Sequence, residues 1–124
     1  MTLPRRPRTR ASAKSAGTRF ERSVADWLSD HVDDRIDRRI RTGAKDRGDL
    51  AGLRIHGLRL VAECKDTTRP LISLALREAE VERGNDDALA GVVITKRHGR
   101  GDPADQLVTM TLRDFAALLT GVRP

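Results

Sequence analysis

The chain is poor in the residues that build several common kinds of site. It has no tyrosine and only three aromatic residues, Phe20, Trp27 and Phe115, so a base-stacking platform of the kind used by single-strand binders is not expected. Its one cysteine, Cys64, cannot form an intramolecular disulfide, which favours a reducing compartment, the cytoplasm. The three histidines lack the spacing of metal ligands, which argues against a zinc site.

Long apolar runs are missing as well. No stretch approaches the roughly 18–20 apolar residues that span a bilayer, so no membrane association is expected. No apolar segment follows the basic N-terminus, as it would in a signal peptide. With 124 residues, 34% charged and 38% apolar, the chain suits one domain around a single core.

Acidic residues are absent from the first twenty positions. Six of the 24 basic residues lie there, which leaves 18 basic against 18 acidic residues, so the net charge of +6 belongs to this segment. The charge predicts a disordered basic arm over residues 1–14, followed by one folded domain over 15–124. Arg5, Arg6, Arg8 and Arg10 of the arm would contact phosphates. The alternative is a tail that only aids solubility.

Periodicity and turn residues predict an α-β-β-β-α-β-β-α order. Capping-box spacing from Thr18 to Glu21 opens the first helix, and Gly84 ends the second. The expected elements are helices over 18–30, 70–83 and 111–121 and strands over 35–41, 49–55, 59–65, 90–96 and 106–110. A meander, a crossover helix and a further strand predict an α/β fold, a mixed sheet with helices on both faces.

Two of these elements carry predictions about burial. Alternation in the strand 59–65 puts one apolar set on a single face: Leu58, Leu60, Ala62 and Cys64. The second helix is expected to turn a different apolar set inward: Leu71, Leu74, Ala75 and Val81. Its acidic residues are expected on the solvated face: Glu78, Glu80 and Glu82.

A hairpin about Gly57 would bring three charged side chains together. Pairing then places Asp49 opposite Lys65, while Glu63 shares a face with Lys65. The two carboxylates suit one divalent cation, and Mg²⁺ is favoured because it prefers oxygen ligands; the backbone carbonyl of Cys64 is a further candidate ligand. Lys65 would orient a water and stabilise charge on a phosphate. An ordinary ion pair is the alternative, and spacing alone does not decide between them.

Asp49, thirteen further residues and then Glu63-Cys64-Lys65 resemble the PD-(D/E)XK nuclease motif. With the surrounding element order, residues 17–97 resemble the archaeal-type Holliday junction resolvases and their phage relatives, although Gly48 replaces the family's proline. The resemblance implies a restriction-endonuclease-like αβββαβ core. It also implies that Asp49 and Glu63 bind Mg²⁺, for which Mn²⁺ substitutes, that Lys65 is catalytic, and that Glu21 completes the site. The alternative for Glu21 is the helix cap.

The expected activity is therefore metal-dependent hydrolysis of phosphodiesters in branched DNA, such as a four-way junction, by a homodimer. Basic loop residues are expected to add to the DNA contacts of the arm: Lys45, Arg47, Lys96 and Arg97. One alternative is another nuclease of the same fold, of the nicking, flap or repair type. The other is a DNA-binding accessory protein without catalysis.

Overall fold

A computed structural model describes residues 8–40, 43 and 45–124. The helices of these residues are α1 (Arg10–His31), α2 (Ile72–Asp86) and α3 (Leu112–Thr120), with a 3₁₀ turn at Pro103–Asp105. The strands are β1 (Asp37–Arg38), β2 (Leu50–Ala51), β3 (Arg54–Ile55), β4 (Leu58–Lys65), β5 (Ala90–Thr95) and β6 (Leu107–Thr109). Within this part of the chain, no helix is both long enough and apolar enough to cross a membrane.

The central sheet is mixed. Its order is β3-β4-β5-β6, with β4 and β5 parallel and the two outer pairs antiparallel. Strand β2 pairs with β1 and is tied to β4 by a hydrogen bond of 2.8 Å from the Asp49 N–H to the Ala62 carbonyl. The parallel pair is joined through α2, as a crossover connection requires. The prediction of an α/β fold with a mixed, helix-flanked sheet is confirmed.

The helices cover both faces of the sheet. Phe20 and Val24 of α1 pack on the face that carries Ala62 and Cys64, as the alternation in β4 predicts. Helix α3 packs on the same face through Ala117, and α2 covers the opposite face. Strand β5 is buried along its whole length, so a strand covered on both faces was correctly predicted at 90–96.

The first helix begins at Arg10 and not near Thr18. Its N-cap is Thr9, whose hydroxyl accepts a hydrogen bond of 3.1 Å from the Ser12 N–H, and the alanine-rich sequence that follows favours the helix. The capping box at Thr18 is therefore wrong. Residues 10–14, expected in the arm, belong to α1, while residues 1–7 lie outside the described residues.

The strand expected over 49–55 is broken into β2 and β3. The break falls at Gly52, which has φ +85°, and a Cβ there would lie 2.5 Å from the Arg35 carbonyl oxygen. Beyond the break the pairing no longer follows the simple hairpin register. As a result Asp49 pairs with Ala62 and not with Lys65, its predicted partner.

Helix α2 turns a stripe of small and acidic side chains toward the sheet. Its buried residues are Ala75, Ala79, Glu82 and Asp86. The prediction was wrong for Leu71, Leu74 and Val81, which are exposed. The stripe is small because the helix lies close to the sheet: a Cβ at Gly91 would be 3.0 Å from the Ala79 carbonyl oxygen.

The helix ends were predicted with mixed success. Helix α2 continues through Gly84 and ends at Asp86, and the following Asp87 caps it in a left-handed conformation with φ 48°. Helix α3 begins as expected, because the Thr111 hydroxyl accepts a hydrogen bond from the Asp114 N–H. The strands β1 and β6 are shorter than the predicted 35–41 and 106–110.

Candidate functional site

The segment before β2 is hydrogen-bonded to β4. Asp49 is buried, and its Oδ2 accepts a hydrogen bond of 2.7 Å from the Cys64 N–H. Gly48 has φ +90°, and a Cβ there would lie 2.9 Å from the Ala62 carbonyl oxygen. Proline, fixed near φ −65°, does not fit this conformation, and any side chain at position 48 would meet the Ala62 carbonyl.

Glu63 and Lys65 point to the side of the sheet that α2 covers. The Lys65 Nζ lies 3.3 Å from Glu63 Oε1 and 2.8 Å from Glu78 Oε2. Burial lowers the pKa of Lys65, but the hydrogen bond to Glu78 and the charge of Glu63 outweigh it and raise the pKa overall. Lys65 is therefore held as a cation, suited to orienting groups and stabilising negative charge.

Three carboxylates from three different elements meet beside Lys65. Asp46, Glu63 and Glu82 each place one oxygen so that all three lie within 4.8 Å of one another. The Asp46 carboxylate is oriented by the Gly48 N–H, and the Asn85 amide of α2 bonds to the Asp46 carbonyl at 2.8 Å. This cluster could bind a metal ion, although acidic groups also cluster without one.

Glu82 is buried in surroundings that disfavour its ionised form. It is 4% exposed, and its Oε2, like Oε2 of Glu63, has no hydrogen-bond partner among the described residues. Burial raises the pKa of Glu82 far above its ordinary value, and the close approach of the Glu63 carboxylate and the charge of Asp46 raise it further. The expectation that Glu82 is solvated was wrong.

The raised pKa of Glu82 predicts that stability falls with rising pH in the absence of metal. Above the ordinary value of 4.5, the folded state keeps a proton that the unfolded state has lost, so the free energy of unfolding decreases as pH rises toward the folded pKa. Glu82→Gln should remove this decline. Thermal unfolding in EDTA between pH 5 and pH 8 should show the variant more stable than wild type only at the upper end. An equal decline in both proteins would contradict the prediction.

Glu21 lies away from this carboxylate cluster, on the wall of a cleft. Both Nε and Nη2 of Arg38 donate to Glu21 Oε2, at 3.1 and 3.0 Å. Because α1 begins at Arg10, Glu21 lies inside the helix, and its alternative role as a helix cap was wrong. The cleft has a volume of about 800 Å³. Its charged lining residues are Lys14, Glu21, Arg22, Asp37, Arg38, Arg39 and Asp49. The structure thus brings Glu21 and Asp49 to one cleft.

The basic residues predicted to contact DNA are dispersed. Lys45 and Arg47 are exposed in the loop before β2, and Arg10 is exposed at the start of α1. Arg8 donates to the Asp66 carbonyl at 2.9 Å, and with Lys96 it lines a cavity of about 240 Å³.

The remaining basic predictions fall on different parts of the chain. Arg97, half-buried, donates its backbone N–H to Gln106 Oε1. Arg5 and Arg6 lie outside the described residues.

Cys64 is a core residue. Its side chain is 9% exposed among Phe20, Val24 and Ile94. Burial raises the pKa of the thiol, and the charges of Asp49 and Glu21 add to the effect, so the nucleophilic thiolate is disfavoured. The role of its backbone carbonyl as a metal ligand stays a prediction.

Sequence reasoning missed Asp46 and Glu82. A signal for Glu82 is present in the helical spacing of Ala75, Ala79, Glu82 and Asp86, which marks one face of α2. A signal for Asp46 is the Asp-x-Gly sequence, since its carboxylate accepts from the Gly48 N–H in an Asx turn.

Comparisons with known proteins do not assign the chain to a family. No family model, no curated protein and no solved structure matches it significantly. The site therefore has to be interpreted from its own chemistry.

Proposed function

We propose that the protein is a Mg²⁺-dependent endonuclease that hydrolyses phosphodiesters in branched DNA. The observation that supports this most is the convergence at the end of β4. Lys65 Nζ lies 3.3 Å from Glu63 Oε1, and Asp49 is bound to the intervening Cys64 N–H at 2.7 Å. Two carboxylates and an ammonium group are what the PD-(D/E)XK-like motif requires, and here Glu63 and Lys65 lie on β4 while Asp49 directly precedes β2.

The residues fit a hard divalent cation. Oxygen donors of carboxylates suit Mg²⁺ and Mn²⁺, and Glu63 has a buried carboxylate oxygen with no hydrogen-bond partner among residues 8–40, 43 and 45–124. Glu63 and Asp49 would hold the ion, which when bound polarises a phosphoryl oxygen and activates water. Lys65, kept cationic, would orient the attacking water and stabilise the charge that develops on the phosphate.

The DNA would approach along the cleft beside Asp49. Lys14 on its wall supplies positive charge, while Arg22 is paired with Asp37 at 2.7 Å and Arg39 lies 3.9 Å from Asp86. The cleft is therefore moderately charged, and the basic N-terminal arm would supply additional, sequence-independent affinity.

A panel of labelled substrates tests the proposal. Purified protein is incubated with a four-way junction, a flap and a linear duplex, each in Mg²⁺ or in EDTA. Symmetric cuts on the junction that require Mg²⁺ support the proposed activity, and cuts on another substrate alone indicate a flap, nicking or repair nuclease. Binding without Mg²⁺-dependent cleavage of any substrate rejects the enzyme in favour of a DNA-binding accessory protein.

The arm predicts a measurable salt dependence of DNA binding. Replacing Arg5, Arg6 and Arg10 by serine should weaken junction binding and reduce the slope of log K against log salt by up to about 2.7, or about 0.9 for each lost phosphate contact. Fluorescence anisotropy at several salt concentrations measures this slope. A matched control replaces three exposed arginines elsewhere: Arg54, Arg77 and Arg113. Equal slopes in the two variants would reject the role of the arm.

The exposed apolar face of α3 predicts a homodimer. Leu112, Phe115 and Leu119 are 81%, 48% and 66% exposed, and their spacing puts them on one face of the helix. Phe115→Asp combined with Leu119→Asp should convert a dimer to a monomer, as measured by light scattering after size exclusion. Leu71→Asp, at an exposed leucine outside this face, is the control. A monomeric wild-type protein at all concentrations would contradict the prediction.

A further inference from the structure

We infer that Asp46 and Glu82, together with Glu63, are ligands of a divalent cation. This inference rests on the proposed nuclease for its biological role and extends that site beyond the sequence motif. Cation binding itself can be measured without turnover, so the two proposals can fail separately.

The three carboxylates are positioned by different parts of the fold. Glu63 comes from β4, Glu82 from α2 and Asp46 from the loop before β2. Asn85, also on α2, bonds to the Asp46 carbonyl at 2.8 Å and fixes this loop against the helix. Hydrogen bonding between α2 and the loop before β2 therefore holds the cluster in place.

A second observation points to a missing partner. Glu63 and Glu82 are 6% and 4% exposed, and one oxygen of each is enclosed without a hydrogen-bond partner in the described part of the chain. Two neighbouring buried carboxylates cannot both stay ionised without a cation, because uncompensated buried charge is costly and like charges repel, so the pair holds either a cation or a proton. Lys65 lies 3.3 Å from Glu63 but is shared with Glu78, so it does not neutralise both Glu63 and Glu82.

The spacing fits a cation of this class. Oxygens on opposite sides of one Ca²⁺ are about 4.6–5.2 Å apart, and those around Mg²⁺ about 4.0–4.2 Å. The three ligand atoms lie within 4.8 Å of one another, so one divalent cation could contact all three after small movements of the side chains. The alternative occupant is a proton shared between Glu63 and Glu82.

Direct metal binding by the full chain decides between these occupants. Mn²⁺ alone is titrated into wild type, Glu82→Gln and Asp46→Asn at pH 7.5, with free Mn²⁺ followed by electron paramagnetic resonance and stability by thermal unfolding. Each variant should lose about tenfold or more in affinity and lose the rise in melting temperature that Mn²⁺ produces in wild type. Glu80→Gln, an exposed position on the same helix, should bind as wild type does.

The outcomes separate the inference from the proposed function. Mn²⁺ binding that depends on Glu82 and Asp46 supports the inference, even if no DNA substrate is cut. No Mn²⁺ binding by wild type, or equal affinity in wild type and Glu82→Gln, overturns it and leaves the shared proton. Equal affinity combined with Mg²⁺-dependent cleavage would overturn the inference alone and keep the nuclease.

Discussion

Lys65→Ala should lower the rate of Mg²⁺-dependent DNA cleavage by about 10²–10⁴-fold, the contribution usual for a positioned proton-transfer or charge-stabilising group. The reason is geometric: Lys65 Nζ is the ammonium group that lies 3.3 Å from Glu63 Oε1. The side chain is partly exposed at the end of β4, but its loss leaves the buried Glu63 without this ion-pair partner, so thermal unfolding checks that the variant is folded. Single-turnover cleavage of a labelled junction measures the rate, and anisotropy measures binding.

Glu78, the other ion-pair partner of Lys65, provides a control variant. Glu78→Gln removes the carboxylate that accepts from Lys65 at 2.8 Å while keeping the ammonium group, so the cleavage rate should change by only a few-fold. Junction affinity should remain close to that of wild type in both variants. A Lys65→Ala protein that cuts at the rate of wild type would show that Lys65 has no catalytic role.

Asp49→Asn should abolish cleavage with little loss of stability. The asparagine amide oxygen can still accept the hydrogen bond that the Cys64 N–H gives to Asp49 at 2.7 Å, but it lacks the negative charge needed to hold a cation. The rate should fall to background, while the free energy of unfolding should change by about 1 kcal/mol or less. Thermal unfolding and the junction assay measure the two quantities on one preparation.

Two further variants isolate the charge of Asp49. Asp49→Ala leaves the buried Cys64 N–H without its acceptor and should cost about 1–3 kcal/mol of stability. Asp34→Asn, at an exposed aspartate, should change neither quantity. Cleavage by Asp49→Asn at half the wild-type rate or more would rule out Asp49 as a metal ligand.

The elements that the sequence predicted well are those whose pattern depends on burial alone. Strand β5 is rich in β-branched residues and is buried along its whole length. The alternation of β4 places Ala62 and Cys64 on the face that packs against α1. The start of α3 was predictable because Thr111 has a local capping partner. These signals are local, so no tertiary information is needed to interpret them.

The errors came from tertiary contacts. The break at Gly52 depends on the close approach of the Arg35 carbonyl, which no local pattern reveals. It shifts the backbone partner of Asp49 from Lys65 to Ala62. Glu82 was assigned to the solvent because it is acidic, whereas close packing of α2 on Gly91 buries it. Charged residues are rarely buried unless they are paired, so composition alone favoured the wrong side of the helix.

The most direct test measures Mg²⁺ binding and DNA cleavage over the same range of Mg²⁺ concentrations. Wild-type protein is mixed with a labelled four-way junction over a series of Mg²⁺ concentrations, and the single-turnover rate is compared with Mg²⁺ binding measured by calorimetry under the same conditions. The account predicts a rate that is at background in EDTA and saturates along the binding curve. Junction binding without cleavage at any Mg²⁺ concentration would contradict it.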